Sequence, residues 1–211
     1  NPNIKDNEFD NRIFNIIKTS YQDRIKSIKE DPNRLAIFNG LNAMDPDSIT
    51  TSGLIKSEPY LKEITPESLY KTYKNMLNNS LCDIFIIGNL DMDKVVKLIN
   101  KYFKCRVIKN HEVNILYQNK ERKRVNKVSE SGNFVQSNLL MIYNLNNLDK
   151  FERDTVFNVF NNILGTEGLN SRLYKYLREE NSLCYGVNSM YLKYDKLLII
   201  KVSLAKENIP K

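Results

Sequence analysis

The stretch Ser171-Arg-Leu-Tyr-Lys-Tyr-Leu-Arg178-Glu-Glu-Asn-Ser-Leu-Cys-Tyr185-Gly-Val187 decides how the chain is read. It predicts an amphipathic helix, from about Asn170 to Glu180, that stops and runs into a strand. Arg178 and Tyr185 fall on either side of the turn. A guanidinium offers a fork of N–H donors and a phenol adds another. Held near the end of a rigid element, the two suit the grip of a peptide carbonyl. The same residues admit a second reading, in which Arg178 pairs with Glu179 or Glu180 at the surface and Tyr185 belongs to the core.

Downstream, residues 183–192 and 197–204 predict two strands, and Lys193-Tyr-Asp-Lys196 supplies a hairpin turn between them. Upstream, Asp149 caps a helix carrying Phe151, Val156, Phe157, Val159, Phe160 and Ile163, and Gly165 ends it. Residues 134–143 predict another strand. Farther back, residues 8–29 repeat apolar positions at helical spacing, from Phe9 to Ile28. Asp31-Pro32 stops that helix and starts a second, through Leu35, Ile37, Phe38 and Leu41 to about Met44. A polar loop with Pro46, Thr50, Thr51 and Gly53 follows. Thr65-Pro66-Glu67 opens a third helix, Cys82-Asp-Ile-Phe-Ile-Ile-Gly88 predicts a buried strand, and Asn89 or Asp91 caps a helix from Val95 to Phe103. The mixed order of helices and strands predicts an α+β fold, with a mixed, mostly antiparallel sheet and helices packed on one face.

Composition sets outer bounds. The 211 residues are 41% hydrophobic and 27% charged, ordinary for a globular protein. No run approaches the roughly 20 apolar residues of a membrane span. Asn1-Pro-Asn-Ile-Lys carries no apolar leader, and the missing initiator Met predicts a piece of a longer polypeptide. Cys82, Cys105 and Cys184 are odd in number and widely spaced, which predicts buried thiols and a reducing, cytoplasmic compartment. The formal net charge of +7 permits an acidic partner without naming one.

The chemistry-bearing motifs are few. His111 is the one histidine, in Asn-His-Glu-Val-Asn, so no multi-histidine metal site can form; it reads as a solvated linker residue. Lys120, Arg122, Lys123, Arg124 and Lys127 form a basic run that could meet phosphates. Glu121 dilutes it and no aromatics interleave, so a solvated linker is the plainer reading. Gly165-Thr-Glu-Gly168 lacks the Gly-Lys-Ser/Thr of a phosphate-binding loop.

Taken in order, Ile163-Leu-Gly165, Ser171-Arg-Leu-Tyr174, Leu177-Arg-Glu-Glu180 and Leu183-Cys-Tyr-Gly-Val187 resemble the insulinase (pitrilysin) family of zinc metallopeptidases, which includes the mitochondrial processing peptidases. Ile64-Thr-Pro-Glu-Ser-Leu-Tyr70 and Asp83-Ile-Phe-Ile-Ile-Gly-Asn-Leu-Asp91 extend the resemblance upstream. The likeness is greatest to bacterial members that occur as paired, often non-catalytic proteins. In active members an inverted His-x-x-Glu-His motif and a distal glutamate hold zinc. Nothing in this chain matches that motif, and none of Glu8, Asp10 and Glu30 is assignable as the distal ligand. The resemblance implies no catalytic residue, metal or cofactor in this chain, with zinc only in catalytic relatives. It implies that Arg178 and Tyr185 are substrate-binding, and that the partners are an extended peptide or protein and a homologous subunit, with no membrane.

It also implies an organisation: residues 1–105 as the later half of one peptidase-like domain, 106–133 as a basic linker with a strand, and 134–211 as the opening half of a second. The family's two domains are alike in fold, so a late half and an early half can also close into one composite domain, with residues 83–88 and 134–143 in one sheet; exchange between two chains is a variant. The functional expectation is a non-catalytic portion of a peptidase or pseudo-peptidase, inactive alone. The alternative is a basic module that binds nucleic acid or an acidic protein.

Overall fold

The computed structural model describes residues 3–47, 55–80, 82–103, 124–166 and 168–210. Cys105, His111, Lys120, Arg122 and Lys123, most of the predicted linker and the loop through Thr50 lie outside the described residues. Contacts divide the chain into two units, residues 1–21 with 60–114 and residues 22–59 with 115–211. The expected halves, 1–105 and 134–211, do not coincide with these units.

The first unit opens with a two-stranded hairpin, β1 (Ile4–Lys5) and β2 (Glu8–Phe9), so the helix expected from residue 8 begins only at residue 11. Asp6 and Asn7 make the turn at φ 53° and 65°, a left-handed conformation that short polar side chains tolerate. Asp10 then caps α1 (Asn11–Glu30), its carboxylate accepting the Ile13 N–H at 2.9 Å. Phe9 packs against Tyr70 and Tyr73 of α3 (Pro66–Asn79), both ring centroids 5.7 Å away. Thr65 and Ser68 cap α3 reciprocally, and Asp91 caps α4 (Met92–Tyr102). Between these helices, residues 82–87 have no ladder partner among the described residues. The buried strand expected there is not formed: Phe85 is 87% and Ile87 99% exposed. A β-branched, aromatic run states a preference for a pleated surface but does not supply the neighbour it needs.

The second unit contains the sheet. Strands β3 (Ser137–Asn144), β4 (Gly186–Leu192) and β5 (Leu197–Leu204) pair antiparallel in the order β3-β5-β4. Met141 lies opposite Ile200, and Ser189 lies opposite the same residue on the other side. The 193–196 turn closes the β4–β5 hairpin, with Lys196 at φ 52°. The pairing expected between residues 83–88 and 134–143 is absent from the described residues.

Side chains alternate across β5, and both sets are buried. Leu197 and Ile199 pack with Leu41 of α2 (Pro32–Met44), joined by Ile37, Leu140 and Ile142. Ile200, Val202 and Leu204 pack with Leu139, Leu164, Leu173 and Leu177. Helices therefore cover both faces of this sheet rather than one. The fold class holds, α+β with antiparallel strands, while α2 from the early sequence takes the face left open by the later helices. Gly40 permits the close approach, since a Cβ there would sit 3.0 Å from Ile142 Cδ1. At the end of α2, Asn33 Oδ1 accepts from Ser203 Oγ at 3.3 Å, and the same hydroxyl reaches Asn138 at 2.9 Å.

The two later helices begin or end in wide turns. A π-helical turn (Glu152–Val156) leads into α5 (Phe157–Leu164), and α6 (Arg172–Tyr174) passes into a π-helical turn (Lys175–Glu180). Asp149 and Glu152 cap the first reciprocally, at 2.8 and 3.0 Å.

Candidate functional site

The segment after α6 positions the residues of interest. The π-helical turn carries Arg178, and the chain reverses at Asn181 and Ser182, the latter at φ 50°. Leu183 N–H closes the reversal on Leu177 O at 2.8 Å, and Asn181 Nδ2 donates to Tyr176 O at 2.7 Å. Tyr185 N–H then donates to Ser203 O at 2.8 Å, which fixes the entry to β4.

Beside this reversal is a cleft of about 420 Å³, whose walls include Thr166, Gly168, Tyr174, Arg178, Gly186 and Val187. Arg178 has its guanidinium 5.1 Å from the centre of the Tyr174 ring, a cation–π contact that orients the fork. Among the described residues it makes no ion pair. The alternative in which Glu179 or Glu180 neutralises it is not what the structure shows. Tyr185 is 55% exposed, so it is not a core residue either. It adjoins Gly186 in sequence but is not among the residues lining the cleft.

Cys184 is buried in the hydrophobic core with Ile200, Val202 and Leu204. Burial pushes its thiol above the ordinary range, and the nearby Arg178 charge opposes that rise.

Thr166 belongs to a tight polar junction between the end of α5 and β4. Gly165 O accepts from Ser189 N–H at 2.8 Å. Asn161 O accepts from Gly165 N at 3.0 Å, Thr166 N at 3.1 Å and Ser189 Oγ at 3.3 Å. Asn161 Nδ2 also donates to Thr166 Oγ1 at 2.5 Å. A Cβ on Gly165 would lie 3.1 Å from both Ser189 N and Oγ, so only glycine lets the two elements meet without displacement. The sequence reading missed Asn161, Thr166 and Ser189. A signal existed: Asn161 is a polar residue within the apolar stripe of Phe157, Phe160 and Leu164.

Of the three carboxylates weighed as a distal zinc ligand, Asp10 and Glu30 serve local structure. Asp10 caps α1, and Glu30 lies 3.9 Å from Lys26 at the exposed helix surface. Among the described residues, no three His, Cys, Asp or Glu side chains converge. Arg124 and Lys127 of the basic run are exposed.

A family model described as the peptidase M16 inactive domain matches residues 63–211. The chain is 24% identical over 215 residues to the probable inactive metalloprotease YmfF of Bacillus subtilis, covering 98% of this chain and 48% of that protein. Among solved structures, a conserved protein from Enterococcus faecalis superposes with a TM-score of 0.83 at 24% identity, again over 98% of this chain and 48% of that one. A peptidase M16 inactive domain from Pseudomonas fluorescens gives a TM-score of 0.67 at 18% identity, over 94% of this chain and 48% of its own. The chain thus spans about half the length of the relatives it matches.

Proposed function

Because the chain belongs to the peptidase M16 inactive-domain family, we propose that it is a non-catalytic, peptide-holding portion of a peptidase-like or pseudo-peptidase assembly. It supplies scaffold and contacts to an extended peptide or protein, and it works beside a homologous subunit. Arg178 and Tyr185 are the substrate-binding residues of this reading. The cysteine pattern supports a cytoplasmic setting rather than an oxidising one, and the similarity to bacterial proteins supports a bacterial one.

One observation carries the reading. Arg178 lines an open cleft, held by the Tyr174 ring and without an ion-pair partner among the described residues. Charged donors of this kind bind carbonyl oxygens more strongly than neutral ones. Zinc does not fit this chain's donors: it has a single imidazole, where the catalytic arrangement needs two and a carboxylate. No chemical step is assigned to it.

The test is fluorescence anisotropy of neutral, randomised dodecapeptides carrying one fluorescein, at near-physiological salt. Loss of a charged hydrogen bond costs about 1.5–3 kcal/mol, so Arg178→Ala should weaken binding roughly 10- to 100-fold. Tyr185→Phe should weaken it less. Native affinity in Arg178→Ala refutes the reading. A steep salt slope with RNA, together with no peptide affinity, establishes the basic-module alternative instead.

A further inference from the structure

Resting on the peptide-holding reading, we propose that Thr166 is a further binding residue of the cleft and that Asn161 is the positioning residue that makes it a donor. Asn161 is 6% exposed, and its Nδ2 donates to Thr166 Oγ1 at 2.5 Å. A hydroxyl that accepts on its oxygen still has one O–H to give. Among the described residues no acceptor takes that proton, while Thr166 itself lines the cleft. That proton is therefore available to an acceptor in the cleft that Thr166 and Arg178 both line.

The junction explains why this geometry is held. Asn161 O takes three donors, and two of them, the N–H groups of Gly165 and Thr166, fix the backbone from which the Thr166 side chain springs. The third, Ser189 Oγ, comes from a residue 1% exposed and ties the same carbonyl to β4. The second wall of the cleft, at Gly186 and Val187, belongs to that strand. Donation by Asn161 to the Thr166 oxygen polarises the hydroxyl and strengthens its own donation. A ligand with carbonyl or carboxylate oxygens in the cleft would have two side-chain donors within it, the Arg178 guanidinium and this hydroxyl. The ligand class is an acceptor-rich, extended main chain.

The test uses the same fluorescein-labelled dodecapeptides, with thermal unfolding by circular dichroism as control. Thr166→Val keeps the side-chain shape and removes the hydroxyl; affinity should fall about fivefold, the effect of one neutral hydrogen bond. Thr166→Ser restores the hydroxyl and should restore affinity. Asn161→Asp is the decisive variant. A carboxylate can only accept, so it captures the Thr166 proton and leaves the cleft without its donor. Binding should then fall as in Thr166→Val, although the contact between the two side chains survives.

Native affinity in Thr166→Val, or in a folded Asn161→Asp, overturns the proposal. If Arg178→Ala weakens binding while Thr166→Val does not, only the role of Thr166 fails. If the native chain binds none of these peptides, the reading beneath fails with it.

Discussion

Ser189 donates its backbone N–H to the carbonyl of Gly165 at 2.8 Å, and the two backbones meet so closely that a single methyl group at Gly165 would intrude. Ser189 is 1% exposed and cannot retreat. Gly165→Ala should therefore cost about 1–3 kcal/mol, the usual range for overpacking. Urea unfolding of the purified chain measures it. An unchanged midpoint would show that α5 can shift away from β4 freely.

Leu41 tests whether α2 belongs to the sheet formed by the later half of the sequence. It is 7% exposed and packs with Leu197 and Ile199. Leu41→Ala should destabilise the unit by about 2–5 kcal/mol through lost burial and the cavity left behind. Amide exchange should then quicken in β5 as well as in α2. Protection confined to β5 and undiminished in the variant would mean that the helix is peripheral.

Asp154 supplies a pH dependence. The Lys193 ammonium, 3.1 Å away, holds the carboxyl below its ordinary value by hydrogen bonding and charge, with Arg153 adding to the effect and partial burial opposing it. A carboxylate with a lowered native pKa favours the folded state above the unfolded value, near 3.8. That contribution disappears as pH falls from there through the lower native value. The acid limb of a stability curve should flatten in Asp154→Asn below about pH 4: the variant is slightly less stable at neutrality, by the small contribution of a surface ion pair, and the difference vanishes in acid. Parallel acid limbs for the two proteins would contradict this.

Phe85 and Ile87 are 87% and 99% exposed on a segment with no ladder partner among the described residues. An unpaired apolar strand is a template for association. Phe85→Lys with Ile87→Lys should lower light scattering on concentration and reduce binding of an apolar dye, while the thermal midpoint moves little. Equal scattering by both proteins would place the sticky surface elsewhere.

The later half of the chain was legible because its signals are local. Residues 197–204 read as a strand and form one, since alternation and β-branching act over a few residues. Asp31, Thr65, Asp91 and Asp149 all cap as their side chains dictate. What escaped depends on distant neighbours. The amphipathic stripe of α2 shows that it packs, without telling on which sheet. Residues 83–88 carry strand propensity, yet a strand exists only where another lies beside it. Residues 8–9 of the hairpin fall inside the expected helix because Phe9 extends the apolar spacing of α1, while the Asp6-Asn7 turn before them went unread. In the cleft, Arg178 stood out by its charge and surroundings, whereas Asn161, Thr166 and Ser189 acquire meaning only through contacts between separate elements.

β5 is flanked on both edges, yet it is the last of the three strands in the chain. A ribosome therefore delivers its two neighbours first. Until Leu204 has emerged, β3 waits more than fifty residues and β4 somewhat over ten with their ladder groups unclaimed. The sheet closes in one late event, and during synthesis a chaperone has the greatest need to shield β3.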